Sequence, residues 1–345
     1  MDFRDEMFYP SEKKDLDTEV EKLFQFYRKT GYPDYSKDEY DIHAEFRKLL
    51  ELDERQLLKG KNIIQNPIGL GVLWTYHPHW KEILCAGQKR SILDAWNDDD
   101  ALRKLIRKTY VWKLKHESSP HWTQNRIRQQ SKVYLVGQSV SNFRPSVAKL
   151  IYNLYGNKGD VLDMSSGFGG RMFGFFASDC ESYTGIEPSE KTYAGLMELK
   201  ADLEKLDSEG LFPRNRKAVV HKTGSEIYHP EWDGKFDLCF TSPPYFDTEK
   251  YSDEETQSWK KYSTLDYWLE GFLKSTIENC WKYTKPEGRL IINIADTTKH
   301  KGIEDATVHY AVDCGFHHTD TLHMELSSIS GKGRKTEPVF IFEKP

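Results

Sequence analysis

The chain has 345 residues, with 49 Lys and Arg against 54 Asp and Glu, and a formal net charge of -5. Hydrophobic residues make up 38% of it, which is ordinary for a globular protein with a sizeable core, and its length predicts about two domains. No long uncharged apolar run predicts a transmembrane helix, and the acidic start lacks the apolar segment of a secretory signal. Five scattered cysteines without a Cys-x-x-Cys pair indicate a reducing compartment and no zinc site. We therefore expect a cytoplasmic protein, of a prokaryote or of a virus in its host, with no membrane partner.

The charge is distributed unevenly along the chain. Residues 1–58 carry a net charge of -6, residues 59–158 carry +11 and residues 159–345 carry -10. Between 103 and 149, 11 Lys and Arg face a single acid, Glu117, and aromatic residues lie between them. Clustered cations attract phosphates and aromatic rings stack on bases, which indicates nucleic-acid contact. The competing interpretation is a solvated helix face whose cations pair with acids elsewhere in the fold.

The predicted elements change in kind along the chain. Apolar residues at helical spacing predict helices over 19–29 and 42–58, and a third helix covers 101–108. From about residue 145, short apolar strands alternate with helices, which predicts an α/β fold with a mostly parallel sheet. The predicted strands cover 161–164, 183–187, 218–223, 236–241, 289–295, 317–326 and 338–342, the last two as an antiparallel pair at the sheet edge. We expect a mainly helical region over 1–140 and a second domain over 141–345.

A glycine turn follows the first predicted strand, at Asp163-Met164-Ser165-Ser166-Gly167-Phe168-Gly169. Glycines there let the backbone approach a ligand closely. Glu187 ends the next strand, where a carboxylate accepts both hydroxyls of a ribose. Asp163 would repel a pyrophosphate but hold a cationic amino group, which favours S-adenosylmethionine over a nicotinamide dinucleotide. Glu226, after the third strand, is a further carboxylate at this edge, expected near the adenine. Turns without any ligand are the alternative interpretation.

The most specific segment is Ser242-Pro243-Pro244-Tyr245, directly after the fourth strand. Two prolines fix the backbone and leave the preceding carbonyls without local donors. The Ser242 hydroxyl and a carbonyl near Pro243 or Pro244 then form rigid acceptors for a planar amino group, while Tyr245 can stack on the ring that carries it. A proline-rich strand exit with a buried tyrosine is the alternative.

Residues from about 142 to 343 resemble the S-adenosylmethionine-dependent amino-methyltransferases of DNA. Asp163-x-x-x-Gly167-x-Gly169 is similar to their cofactor motif, Ser242-Pro243-Pro244-Tyr245 to their catalytic motif, and Asn142-Phe143-Arg144-Pro145-Ser146 to an additional cofactor-side motif. The resemblance implies a Rossmann-like, seven-stranded methyltransferase sheet with the last strand inserted antiparallel. It also implies methyl transfer to the exocyclic amine of a DNA base flipped out of the duplex.

By this resemblance the site residues take distinct roles. Asp163, Gly167 and Gly169 lie along the methionine part of the cofactor, with Phe143 on the same side, Glu187 at the ribose and Glu226 near the adenine. Ser165 stands where many members carry Phe, so one cofactor contact is expected to differ. Ser242, Pro243, Pro244 and Tyr245 hold the target amine and its ring. No metal is expected.

The contact with DNA is predicted by elimination. No long insertion follows Tyr245 and no large domain follows the last strand, which are the usual places of a target-recognition domain in this family. The basic N-terminal region is therefore the candidate DNA-contacting region, and a loop near the end of the chain adds cations. The candidate contacts are Trp122, Arg126, Arg128, Lys132, Lys332 and Arg334.

The target base and the class of acceptor stay open at this point. Ser242 at the head of its motif favours cytosine N4 over adenine N6, since Asp is commoner in adenine enzymes. Methylation at carbon 5 of cytosine is disfavoured because no Pro-Cys dipeptide supplies a nucleophile. An RNA or protein-amide methyltransferase would be expected to carry Asn in place of Ser242. The intact Asp163, Glu187 and Ser242 disfavour a non-catalytic DNA-binding protein. The oligomeric state is not predicted.

Overall fold

The computed structural model describes residues 13–85, 87–116, 122–209, 213–326 and 335–345. This part of the chain forms two compact units. The first unit comprises the described residues up to Tyr35 together with Pro78–Val140, and the second comprises Ser36–His77 and Ser141–Pro345. Residues 36–77, which the sequence analysis assigned to the N-terminal region, thus belong to the unit that holds the β-sheet. None of the described helices is both long and apolar enough to span a membrane.

Helices occur in both units, and several begin or end at identifiable caps. The described α-helices are, in chain order, α1 (Lys13–Thr30), α2 (Ile42–Glu51), α3 (Leu70–Tyr76), α4 (Ile92–Asn97), α5 (Asp99–His116), α6 (Gln124–Tyr134), α7 (Pro145–Tyr155), α8 (Gly170–Phe176), α9 (Glu190–Glu209), α10 (Ser258–Lys261), α11 (Leu265–Trp268), α12 (Ser275–Tyr283) and α13 (Ile303–Asp313). A π-helical turn, Leu269–Lys274, joins α11 to α12. The predicted helix over 42–58 ends early, at Glu51. The Lys149 ammonium caps this end, since it donates to the carbonyls of Leu49, Leu50 and Leu52, which a further helical turn would otherwise satisfy.

The first unit is a helical bundle built from α1, α4, α5 and α6. Val20, Leu23, Phe24 and Tyr27 recur at the spacing of one helix face in α1 and are buried. They pack with apolar side chains of the other three helices into one core, which includes Trp96, Leu102, Leu105, Ile106, Tyr110 and Ile127.

The second unit contains a mixed sheet of nine strands among the described residues. The strands are β1 (Leu58–Lys59), β2 (Asn62–Ile63), β3 (Asp160–Asp163), β4 (Ser182–Ile186), β5 (Lys217–His221), β6 (Phe236–Thr241), β7 (Thr284–Asn293), β8 (His317–Glu325) and β9 (Thr336–Glu343). Their order is β1-β2-β8-β9-β7-β6-β3-β4-β5. Strands β3 to β7 are parallel, while β9 lies antiparallel between β7 and β8, as predicted.

The predicted count of seven strands is wrong by two, because a short hairpin extends the sheet. β1 and β2 pair across Gly60, whose φ of +60° suits a two-residue turn. β2 then pairs parallel to β8, and the Lys61 carbonyl accepts a hydrogen bond from the His323 amide at 2.8 Å. β8 is therefore covered rather than at the edge. Two-residue strands carry no hydrophobic periodicity, so the sequence could not predict them.

The chain reverses its direction of travel across the sheet between β3 and β6. It runs outward from β3 to β4 and β5, then returns to place β6 on the other side of β3. Leu162 and Cys239 pair across these two parallel strands. Ligands of open α/β sheets bind at such a point, beyond the carboxyl ends of the strands. The topology thus brings the glycine turn and the Ser-Pro-Pro-Tyr segment to neighbouring strand ends.

Candidate active site

The glycine turn between β3 and α8 is tightly packed on one side and open on the other. Gly167 and Gly169 have φ values of +53° and +81°. A Cβ at Gly169 would lie 2.5 Å from Leu199 Cδ2, and one at Gly170 would lie 1.9 Å from the Phe143 carbonyl oxygen. A Cβ at Gly167, in contrast, would have only Ser165 O, at 3.8 Å, within 4 Å among the described atoms outside its chain neighbours. Gly169 and Gly170 are therefore required for packing, whereas Gly167 borders the space in which a ligand can approach the backbone.

Asp163 fixes this turn from within the protein. Its fully buried carboxylate accepts hydrogen bonds from Arg171 Nε at 2.9 Å, from the Tyr183 hydroxyl at 2.8 Å and from the Ser165 amide at 3.1 Å. Arg171 also donates to the Ser165 carbonyl. Because Arg171 balances its charge, Asp163 does not present the free negative charge that the sequence analysis expected for a cationic amino group. Its contacts make it a residue that positions the turn.

Glu187 follows β4 and contacts the glycine turn directly. Its Oε2 accepts from the Gly167 amide at 3.1 Å, and its Oε1 accepts from the Ser189 amide at 2.9 Å. Only 7% of the residue is exposed. Burial raises the pKa of Glu187 to about 8, although the two backbone amides favour its ionised form. The structure therefore brings together Gly167 and Glu187, which the spacing had paired.

Two further predicted cofactor residues lie at the borders of this turn. The carbonyl of Phe143 contacts Gly170, and the Phe143 ring packs edge-on against Phe240 of β6, with ring centroids 5.4 Å apart. Glu226 follows β5, folds back over Gly224 and forms an ion pair with Lys261 at 2.7 Å. Phe143 thus packs against the turn, whereas the Glu226 carboxylate is held in an ion pair with Lys261.

The Ser-Pro-Pro-Tyr segment leaves β6 next to the glycine turn. The Ser242 hydroxyl donates to Asn293 Oδ1 at 3.4 Å, and the Tyr245 hydroxyl donates to Glu337 Oε2 at 3.2 Å. Burial, with Glu337 and Glu249 nearby, raises the pKa of Tyr245, so its phenol stays protonated and remains a donor. Phe246, the next residue, has a φ of +53°. A non-glycine residue in that region costs about 1–3 kcal/mol and is typical of functional sites.

Two acids at this edge were missed by the sequence analysis. Burial raises the pKa of Glu337, at the start of β9, and raises that of Glu249 to about 7. The Tyr251 hydroxyl donates to Glu249. These acids lie 92 and 4 positions from Tyr245, and no motif marks either of them. Only the antiparallel insertion of β9 could have indicated that Glu337 reaches this edge.

Asp247 is also near this segment, but Lys299 and His300 already hydrogen-bond to its carboxylate. Its carboxylate accepts from Lys299 Nζ at 2.5 Å and from His300 Nε2 at 2.5 Å. Although partial burial works in the opposite direction, these two partners lower the pKa of Asp247. A carboxylate with a lowered pKa is a weak base. The described residues contain no group of three or more His, Cys, Asp or Glu that could hold a metal ion.

Two of the predicted nucleic-acid contacts, Arg128 in α6 and Trp122 just before it, hydrogen-bond within the first unit. Arg128 is fully buried and donates to the carbonyls of Pro33 and Asp34 at 3.2 and 3.1 Å. Trp122 donates from Nε1 to the Tyr27 hydroxyl at 2.7 Å. A phosphate or base cannot reach Arg128 in this fold, so its predicted contact is wrong, because its guanidinium satisfies buried carbonyls.

The other predicted contacts are more accessible or are not described. Arg126 and Lys132 are half-buried, with Arg126 above the Trp112 ring at 4.3 Å and Lys132 above the Trp80 ring at 4.4 Å. Lys332 and Arg334 lie outside the described residues. Along α5 the sequence analysis had only a charge run, whereas the structure distinguishes its members: Lys104, Lys108 and Lys115 are exposed.

Comparisons with known proteins find a family match in the carboxyl-terminal third of the chain. Residues 236–345 match the family model of DNA methylases of the N6/N4 type. No curated protein matches the sequence significantly.

Solved structures that resemble the chain include several methyltransferases. One from Methanosarcina mazei is 16% identical, with 54% of this chain and 92% of that chain covered and a TM-score of 0.37. A putative RNA methyltransferase from Pyrococcus horikoshii is 15% identical, with 58% and 82% covered and a TM-score of 0.35. Fibrillarin from Aeropyrum pernix, with S-adenosylmethionine bound, is 12% identical, with 57% and 73% covered and a TM-score of 0.36.

The matched residues begin at β6 and contain the Ser-Pro-Pro-Tyr segment, whereas the glycine turn lies before them. In residues 236–345 the chain is therefore similar to the DNA methylases of this family model.

Proposed function

We propose that this protein transfers a methyl group from S-adenosylmethionine to an exocyclic amino group of a DNA base, with cytosine N4 preferred over adenine N6. The observation that carries the proposal is the adjacency of two turns. The glycine turn ends β3, the Ser-Pro-Pro-Tyr segment ends β6, and these strands pair directly in parallel. A cofactor cradle and an amine acceptor on neighbouring strand ends lie within reach of one another.

The residues around Gly167 fit this cofactor. Each carboxylate oxygen of Glu187 accepts one backbone amide, which leaves a lone pair on each for the two ribose hydroxyls. When bound, S-adenosylmethionine would supply a methyl group on a positively charged sulfur. Asp163 would hold the turn in shape through Arg171, while Phe143, Ser165, Gly169 and Glu226 would border the cofactor.

The Ser-Pro-Pro-Tyr segment would hold the amine. Because the Ser242 hydroxyl can donate its proton to Asn293 Oδ1 or to the Tyr245 oxygen, the Ser242 lone pairs can accept an N–H of the substrate. A carbonyl near Pro243 or Pro244 would accept the second N–H, and Tyr245 would stack on the base. The amine loses its proton only after the nitrogen has become cationic, so no strong base is needed, in keeping with the weakly basic Asp247.

The partner we propose is DNA whose target base is flipped out of the stack. Lys104, Lys108 and Lys115 support a contact with the phosphate backbone. At 100° per residue, these three exposed lysines of α5 fall within about 40° of arc on one side of the helix. Clustered cations of this kind bind phosphates by releasing counterions.

Transfer of tritium-labelled methyl groups tests the function. Protein incubated with the labelled cofactor and separate DNA, RNA and protein acceptors should label DNA, and digestion should yield N4-methylcytosine. Ser242→Ala should lower the rate by about a hundredfold, the usual effect of removing one hydrogen bond to the reacting group, while the dissociation constant of the cofactor stays unchanged.

The control and the contradicting outcomes are distinct. Ser208→Ala, at the exposed end of α9, should transfer at the wild-type rate. Label confined to RNA or to protein would refute the DNA proposal, and N6-methyladenine would refute the preference for cytosine. An unchanged rate in Ser242→Ala would show that the Ser-Pro-Pro-Tyr segment has only a structural role.

A further inference from the structure

Four polar side chains from three strand ends form one hydrogen-bonded set beside the proposed amine site. Asn293 ends β7 and pairs with Val339 of the antiparallel β9, so the start of β9 lies at the same edge as the end of β7. Ser242 donates to Asn293 Oδ1 at 3.4 Å, and Tyr245 donates to Glu337 Oε2 at 3.2 Å. The Asn293 amide donates to the Pro338 carbonyl at 3.0 Å and also hydrogen-bonds to Glu337.

The direction of each hydrogen bond in this set matters for the amine. Glu337 receives donors from both Tyr245 and Asn293, so it orders the two groups at once. With its amide protons directed at Glu337 and Pro338, Asn293 presents its oxygen to Ser242. The Ser242 proton then has two neighbouring acceptors, Asn293 Oδ1 and the Tyr245 oxygen, and the Ser242 lone pairs are left to accept from the amine.

We propose that Glu337 is a positioning residue for methyl transfer: through Asn293 it sets the direction of the Ser242 hydroxyl, and through the Tyr245 hydroxyl it sets the plane of the stacking ring. This inference rests on the proposed function, because it assigns to Glu337 a part in presenting the amine. Glu337 does not itself touch the substrate in this account.

The surroundings of Glu337 explain why its position is well defined. Glu249 and Glu304 lie near enough to interact with it electrostatically. Burial, together with the charge of Glu304, raises the pKa of Glu337, whereas the hydrogen bonds from Tyr245 and Asn293 oppose the rise. A partly buried acid without donors would be costly, so these two donors are strongly held. Misplacing a reacting group by about 1 Å costs about a hundredfold in rate.

The test is a double-mutant cycle on Glu337 and Tyr245 in the full-length protein, with single-turnover rates of labelled methyl transfer. Glu337→Ala should lower the rate constant at saturation by about tenfold to a hundredfold, with little change in the KM for DNA or in cofactor affinity. Glu337→Gln keeps an acceptor oxygen and should recover most of the rate. In a Tyr245→Phe background, Glu337→Ala should have a clearly smaller effect, because one of the two hydrogen bonds through which Glu337 acts is already absent.

Glu343→Ala provides the matched control. Glu343 lies at the opposite end of the same strand, where it pairs with Arg289 at 3.2 Å. Its replacement should leave the rate within about twofold of wild type, as expected of a partly exposed ion pair. Additive effects in the cycle, or a rise in KM without loss of the saturated rate, would overturn the positioning role.

A second measurement keeps this inference separate from the choice of DNA as substrate. Tyrosines labelled with ¹³C at Cζ give a Tyr245 signal that the Tyr245→Phe variant identifies. That signal should shift in Glu337→Ala, return towards its original position in Glu337→Gln and stay in place in Glu343→Ala. An unmoved signal in Glu337→Ala would refute the inference. If only RNA or protein is labelled, the DNA proposal fails while the same cycle on that acceptor still decides the role of Glu337.

Discussion

Replacing Glu187 with Gln tests the electrostatics on which the cofactor site depends. Glu187 is 7% exposed, and both of its oxygens accept backbone amides, from Gly167 and Ser189. Burial raises the pKa of Glu187 from an ordinary 4.5 to about 8; the two amides oppose this rise, and the nearby Asp163 and Glu254 add to it. The ionised carboxylate is therefore destabilising in the folded protein without ligand.

The raised pKa of Glu187 decides whether the folded protein becomes more or less stable as the pH rises. A carboxyl group whose pKa is higher in the folded than in the unfolded chain takes up a proton on folding. Its contribution is most favourable below pH 4.5, and stability is lost as the pH rises through the window from 4.5 to 8. At about 1.4 kcal/mol per pH unit, the free energy of unfolding falls by about 3 kcal/mol between roughly pH 5 and 7.5 on account of this one group.

Urea denaturation at several pH values measures the effect. Glu187→Gln removes one acceptor for a backbone amide, a cost of about 1–3 kcal/mol that does not depend on pH. The unfolding free energy of Glu187→Gln, measured relative to wild type, should therefore increase by about 3 kcal/mol as the pH rises from about 5 to 7.5. The control is Glu181→Gln, which replaces an exposed glutamate just before β4. Its unfolding free energy relative to wild type should not change over this pH range. Parallel pH profiles for Glu187→Gln and wild type would refute the reasoning.

Two more predictions concern the first unit. Replacing Lys104, Lys108 and Lys115 with Gln should weaken binding to duplex DNA. It should also reduce the slope of log K against log salt concentration by about 0.9 for each phosphate that the variant no longer neutralises. An unchanged slope would show that these lysines of α5 do not contact DNA. The matched control replaces three exposed lysines elsewhere, Lys29, Lys205 and Lys217. Arg128→Met should lower the unfolding free energy by about 3 kcal/mol, since it removes the donor to the buried Pro33 carbonyl and to the partly buried Asp34 carbonyl, whereas Arg126→Met, two positions earlier on α6, should cost less than about 1 kcal/mol. Equal stability of these two variants in urea denaturation would contradict the interior role of Arg128.

The parts of the fold that the sequence predicted are those with local signals. Strand β3 reads as an apolar run that ends at Asp163, and glycines closely follow it. The prolines after Thr241 likewise end β6. Because β3 and β6 are parallel neighbours in this class of sheet, two local signals were enough to place the glycine turn and the Ser-Pro-Pro-Tyr segment together.

The parts that the sequence could not predict depend on contacts between distant residues. Glu337 reaches Tyr245 only because β9 is inserted antiparallel between β7 and β8. The charge of Asp163 is balanced by Arg171, which has no recognisable motif of its own. In both cases the residue type was visible in the sequence, but its partner was decided by the packing of the sheet.

The basic run between 103 and 149 shows why a charge count alone does not define a binding surface. Arg103 pairs with Glu21 at 2.9 Å, and Arg107 pairs with Asp17, so acids of α1 neutralise cations of α5. The solvated-face interpretation is therefore correct for Arg103 and Arg107, and nucleic-acid contact by other members of the run stays a prediction. In the described part of α5, the surface that we propose for a nucleic acid is narrower than the charge run suggested, since Lys104, Lys108 and Lys115 lie on one side of the helix. Lysines spaced over 11 residues of a helix extend about 16 Å along its axis, which is long enough to meet more than one phosphate of a single strand.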